Sequence, residues 1–185
     1  MLFNSYPFIL VFLPATAAIY YWLRRAQLDR PAVAFLAAAS LFFYGWWNPI
    51  YLVLLGALIV GNFFAVRVLI AIPLEQRKLR KVALSVGVAG NLLVLGYFKY
   101  ANFFVDNINA LSGAGFDLLP VVLPLGISFF TFQKIALLAD TYHGKVRRLN
   151  FLDYVLFVSF FPQLIAGPIV HHSEVMPQFR SLVPQ

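Results

Sequence analysis

The sequence predicts an all-α multipass membrane protein of about six hydrophobic helical segments, and three observations carry that prediction. Of 185 residues, 62% are hydrophobic and 11% charged, whereas an ordinary soluble domain has roughly 45–50% apolar and about 25% charged residues. The apolar runs are long: about 20 residues at 1.5 Å rise cross a bilayer, and residues 5–23, 31–47, 49–72, 82–98, 118–140 and 151–170 approach or reach that length. The basic residues are also sorted. Arg24, Arg25 and Arg30, then Arg77, Lys78, Arg80 and Lys81, then Lys145, Arg147 and Arg148 make ten of the 14 basic residues, all in the first, third and fifth connections. Cytoplasmic loops concentrate Lys and Arg, so these loops are read as inside and the N-terminus as outside. The net charge of +7 is therefore a threading signal. No basic face with aromatic stacking partners stands apart from the bilayer, so no nucleic-acid partner is expected.

The first segment is uncharged from Met1 to Leu23, and its arginines follow it. Ala15-Thr16-Ala17 resembles a cleavage site, but a signal peptide carries its charge ahead of the apolar run. The reading is a retained first helix. The second connection, 45–49, is uncharged and bracketed by Tyr44, Trp46, Trp47 and Tyr51, as expected of an aromatic interfacial belt. In the third segment Ala57, Gly61 and Ala65 recur every fourth residue, a stripe that permits close helix packing. The fourth connection holds Asp106 and Asp117 without Lys or Arg. Its Tyr100, Phe104, Ile108 and Leu111 recur at near-helical spacing against Asn102, Asp106, Asn107 and Asn109. Residues 99–117 thus read as an external surface segment, either a helix lying flat on the membrane or an ordered loop.

The last two segments are not plain spans. One opens with Pro120 and Pro124-Leu125-Gly126 and carries Gln133 and Lys134 inside; the other is interrupted by Pro162 and by Gly167-Pro168. Proline removes a donor and kinks a helix, and freed backbone at membrane depth persists only where protein or a watery cavity covers it. These segments are expected to face away from lipid. Residues 171–185 form a polar tail whose side is open: six full crossings place it outside, a re-entrant last segment inside, and Arg180 is its only basic residue. The whole, 1–185, reads as a single transmembrane domain.

No cysteine is present, which excludes disulfides, thiolate metal sites and cysteine nucleophiles. Ser128 lacks the second glycine of a nucleophile elbow, since Phe130 stands there; it reads as structural. A charge inside a span usually faces a cavity or partner, so Lys134, beside Gln133, reads either so or as snorkelling toward the inner interface near Asp140. Arg67 lies closer to its helix end, where snorkelling is favoured. Asn62 and Asn91, in adjacent helices, read as a hydrogen bond across the bundle or as the lining of a polar path. His143 sits in a basic loop. His171 and His172 diverge on a helix, and although His171 and Glu174 can share a face, no second ligand cluster exists. No metal site is expected. A histidine can serve as general base in acyl transfer, but nothing internal to the sequence singles one out.

Several blocks resemble the membrane-bound O-acyltransferase superfamily. Met1-Leu2-Phe3-Asn4-Ser5-Tyr6-Pro7-Phe8 opens the chain as its members do. Leu41-Phe42-Phe43-Tyr44-Gly45-Trp46-Trp47-Asn48-Pro49 looks like its second-connection block. Pro124-Leu125-Gly126-Ile127-Ser128-Phe129-Phe130-Thr131-Phe132-Gln133 with Asp140-Thr141-Tyr142 resembles its next signature. Phe161-Pro162-Gln163-Leu164-Ile165-Ala166-Gly167-Pro168-Ile169 followed by Met176-Pro177-Gln178-Phe179 resembles another. The branch that acetylates alginate is most similar, and the teichoic-acid D-alanyl transfer branch more distant. His143 departs from the pattern, since relatives often place Arg there.

The resemblance implies a helix ring around a funnel that thins the membrane, in a bacterial inner membrane. It implies movement of an acetyl group from a cytoplasmic thioester donor such as acetyl-CoA, a substrate rather than a bound cofactor, toward hydroxyls of an exported polysaccharide, with alginate the expected one. Periplasmic polysaccharide acetyltransferases are the implied partners, beside the lipid bilayer itself. Together with the reading of the residues themselves, it leaves Gln133, Lys134, Asp140, Gln163, His171, His172 and Glu174 as the candidate cavity or motif residues. Family members are longer, and their catalytic histidine, usually after a Trp, lies in the C-terminal half; here no Trp follows Trp47. The family histidine is therefore expected beyond Gln185, with further helices and a Trp-His pair encoded there. The expectation for residues 1–185 is an N-terminal portion with no catalytic residue of its own, inactive alone. Two other classes compete. A transporter or channel half accounts for broken helices and Lys134, but matching interruptions in paired repeats are missing. A non-catalytic scaffold for periplasmic transferases would bind partners without acyl transfer.

Overall fold

The computed structural model describes residues 5–113, 115–118 and 122–166. Every regular element in them is helical. A π-helical turn, Phe8–Phe12, runs into α1 (Leu13–Arg25). After it come α2 (Asp29–Trp47), α3 (Pro49–Ala71), α4 (Arg77–Ser112), α5 (Ile127–Tyr142), α6 (Phe151–Ser159) and α7 (Phe161–Ala166). By length and composition α3 and α4 can each cross a membrane.

The connections follow local chemistry. Gln27, at φ 59, makes the α1–α2 turn, and Arg24 closes it by pairing with Asp29 at 2.6 Å while itself buried. Between α2 and α3, the Asn48 side chain accepts from Ile50 N–H and Pro49 takes the first helical position, where a missing N–H costs nothing. Two apolar clusters organise the packing. Phe8, Phe43 and Phe161 join Tyr20, Leu36 and Leu156 between α1, α2, α6 and α7. Leu55, Ile59, Val66, Phe130, Leu138, Tyr154 and Phe157 build the second, between α3, α5 and α6, with α4 against it. Helix α5 is central. Nine of its residues are buried, Gln133, Lys134 and Asp140 among them.

Three expectations are revised. The basic run at 77–81 is not loop but the first turn of α4. That helix continues without interruption to Ser112, so 100–112 is the last part of α4 rather than a separate helix or a loop; its 36 residues make about 54 Å. Among the described residues of the fifth segment the helix starts at Ile127, where Gly126 at φ 70 makes the turn into α5. Upstream, Tyr44 and Tyr51 hydroxyls donate to the carbonyls of Leu125 and Val122 at 3.2 and 2.6 Å. The sixth segment breaks at Phe160, as the proline predicts. At 16 and 9 residues, α5 and α6 are about 24 and 14 Å long, each short of the roughly 30 Å hydrocarbon thickness.

Candidate functional site

The helix break before Pro162 brings together the two sequence blocks with the most unusual chemistry. In an uninterrupted helix Phe161 N–H would donate to Phe157 O; here it turns to Ser40 Oγ of α2 at 3.4 Å, and Gln133 Nε2 of α5 donates to Phe157 O at 3.1 Å. Ser40 Oγ in turn donates to Leu36 O. A serine and a glutamine, both fully buried, thus cover backbone that the proline disturbs, which meets the requirement that such backbone be covered by protein. Gln163 begins the next turn, its N–H on Phe160 O at 3.0 Å. The Gln133 Oε1 acceptor and the Ser159 hydroxyl are buried with no partner among the described residues.

Lys134 is 1% exposed. Its ammonium stands 5.1 Å from the centroid of the Phe130 ring, and no described residue offers it a hydrogen bond or counter-charge. Phe130 lies one turn back toward the start of α5, so the side chain points away from the Asp140 end and does not snorkel that way. Asp140, buried, pairs with the exposed Lys145 at 3.1 Å. Gln133, Lys134 and Asp140 are therefore on one buried helix, with the first two in its interior and Asp140 tied to the basic loop. Ser128 sits in the first turn of α5, half-buried. His143 ends the helix exposed, its ring edge-on to Tyr142. His171, His172 and Glu174 lie outside the described residues, as does the rest of the polar tail to Gln185. The expectation of a catalytic histidine beyond Gln185 concerns sequence outside this chain altogether. Within the described residues, α5 carries a buried positive charge, and the Gln133 amide oxygen and Ser159 hydroxyl are buried without partners; a buried cation is able to polarise a carbonyl or hold an anionic group.

A second polar cluster lies beside it. Asn91 Nδ2 donates to Asn62 Oδ1 at 2.9 Å, and Asn62 Nδ2 donates to the Tyr154 hydroxyl at 3.0 Å. The bond between adjacent helices expected from the sequence is present, extended by a tyrosine inside an apolar run. Tyr154→Phe strands an Asn62 donor in the core and is expected to cost about 1–3 kcal/mol; detergent unfolding followed by helicity measures it, and a change under about 0.5 kcal/mol contradicts the network's role.

Arg80, a loop charge by sequence, is instead 4% exposed. Its Nη1 donates to Leu69 O and Ile72 O at 2.8 and 2.6 Å, and its Nη2 to Thr141 O and Tyr142 O at 2.7 and 2.9 Å. One guanidinium thus caps α3 and α5 together, where unsatisfied carbonyls and the dipole both favour a cation. Spacing carries no signal for this, since Arg80 is one of four cations in five residues.

A Helicobacter pylori peptidoglycan O-acetyltransferase is 43% identical across 97% of this chain. Probable alginate O-acetylases of Pseudomonas aeruginosa and Pseudomonas putida are 36% and 35% identical across 97% and 98%. The chain spans 39%, 34% and 37% of the lengths of these relatives. No protein-family model matches it, and no solved structure matches it.

Proposed function

Because this chain belongs to the membrane-bound O-acyltransferase family, we propose that it is part of an O-acetyltransferase embedded in a bacterial inner membrane. In this reading it moves acetyl from a cytoplasmic thioester donor, acetyl-CoA or a similar carrier, toward sugar hydroxyls of an exported polysaccharide. The observation that carries the reading is the match of nearly the whole chain to relatives named as O-acetyltransferases. Their names give peptidoglycan and alginate, so the shared acceptor chemistry is a carbohydrate hydroxyl, with alginate and peptidoglycan as the two arms of the test.

The membrane setting has physical support. Val53 is 73% and Leu93 73% exposed on the two long helices, and apolar surface of this extent is favourable in a bilayer and costly in water. The N-terminus is read as outside, with the turns around Arg24, Arg77 and Lys145 in the cytoplasm. The chain lacks cysteine, so Glu75→Cys and Ser112→Cys are expected to react with an impermeant maleimide from opposite faces; reaction from one face rejects that topology.

The functional test replaces the matching part of the Helicobacter pylori relative by this chain. Ester-linked acetate released from the glycan by mild alkali is expected from the chimera and absent from this chain alone. Running it in one host whose peptidoglycan lacks O-acetyl groups and in another that makes unacetylated alginate assigns the acceptor. A chimera present in membranes at normal level that esterifies neither glycan removes the proposal.

A further inference from the structure

We propose that the groove between α3 and α4 receives a transmembrane helix presenting a serine or threonine hydroxyl between small residues, a helix that the relatives' additional length supplies. The inference rests on the reading of this chain as part of a longer membrane enzyme. The groove, about 290 Å³, is lined by Ala57, Gly61 and Ala65 of α3 with Gly87, Gly90 and Asn91 of α4. Its glycines are not used up by packing within the chain. A Cβ built at Gly61 or Gly90 meets nothing within 4 Å, whereas one at Gly87 comes to 3.1 Å of Leu138.

The polar floor specifies the occupant. Asn91, nine-tenths buried, lines the groove and donates from Nδ2 to both Asn62 Oδ1 and Gly87 O. Its Oδ1 accepts no hydrogen bond among the described residues. An amide oxygen left so in hydrocarbon costs several kcal/mol, and a donor is needed. Asn62 is about 20 Å along α3 from Pro49 and about 14 Å from Ala71, too deep for a lipid headgroup, and acyl chains carry no donor. A second copy is no better, because the Asn91 N–H groups are already engaged. A helix keeps its backbone N–H groups internal, so the donor is a side chain, and a groove floored by glycine admits one only where small residues allow close approach. The relatives hold over three fifths of their length outside the match, ample for such a helix.

The probe is a synthetic polyleucine transmembrane peptide bearing Ala-x-x-x-Ser-x-x-x-Ala, labelled for energy transfer to the full chain in phosphatidylcholine vesicles; carbonate-resistant insertion of the chain is verified first. The serine peptide is expected to bind this chain, its Ser→Ala version about three- to fifteen-fold more weakly. Gly61→Leu, which enters open space, is expected to abolish binding at unchanged helicity and melting. The chimera with the Helicobacter pylori relative, its own helix in place, is expected not to bind. Equal binding of both peptides, no binding, indifference to Gly61→Leu, self-association of the chain blocked by Gly61→Leu, or equal binding to chain and chimera each overturns the proposal. Failed insertion would instead reject the membrane reading, and an inactive chimera the acetyl-transfer reading, while the peptide comparison on this chain stands by itself.

Discussion

Arg80→Ala is expected to destabilise the chain by about 3–5 kcal/mol, the largest effect of any single substitution outside the apolar clusters. The guanidinium holds four carbonyls from two helices at 2.6 to 2.9 Å. Alanine leaves the ends of α3 and α5 without their shared donor, and each stranded buried carbonyl costs about 1–3 kcal/mol, less than additively because the four act together. The charge also offsets a conflict of its own. Arg77, Lys78, Arg80 and Lys81 crowd the first turn of α4, the wrong end of a helix for cations, and Arg80 escapes by reaching back to two C-terminal ends. Lysine separates geometry from charge: one ammonium at a single point cannot serve both helices, so Arg80→Lys is expected to recover less than half of the loss. Titration with dodecyl sulfate from mild micelles, followed by helicity, measures both. An alanine variant that unfolds within about 0.5 kcal/mol of the parent contradicts the double cap.

Arg80 also shows where reading the sequence runs out. Charge at a loop is visible in sequence, but which carbonyls a side chain reaches depends on how two helix ends meet around it, one of them at Thr141, 61 residues further along the chain than Arg80. Features set by local chemistry are legible: the turn at Asn48-Pro49, the break ahead of Pro162, and the Asn62–Asn91 bond, where two polar residues in neighbouring apolar runs have few other partners. Features set by tertiary packing are not. Tyr154 reads as one more aromatic in an apolar stretch until Asn62 is placed against it. Ser40 reads as a tolerated small residue until the disturbed backbone at Phe161 needs an acceptor. The uninterrupted α4 is hidden because Asn102, Asp106 and Asn107 imply exposure to water, and exposure does not end a helix; Gly113, in the left-handed conformation, does. For α5 the apolar count begins too early, since Pro124-Leu125-Gly126 is a turn that happens to be apolar.

Lys134→Met is expected to move stability and function in opposite directions. An ammonium 1% exposed with a ring at 5.1 Å gains about 2 kcal/mol from that ring when dry, while burying an ion costs several. Methionine keeps the unbranched shape and removes the charge, so the chain is expected to gain about 1–3 kcal/mol of stability. A protein retains such a cost where the charge acts. A buried ammonium on the interior of α5 can stabilise a carbonyl oxygen that gathers negative charge, and the proposed acetyl transfer develops such charge. Ester-linked acetate made by the chimera is therefore expected to fall about tenfold or more with Lys134→Met, and Lys134→Arg, which restores charge in a bulkier planar form, to recover part of it. Stability and acetate are read on the same preparations. A methionine variant that is less stable than the parent shows that the ammonium holds the fold together, and one that is more stable and fully active shows that the charge serves neither.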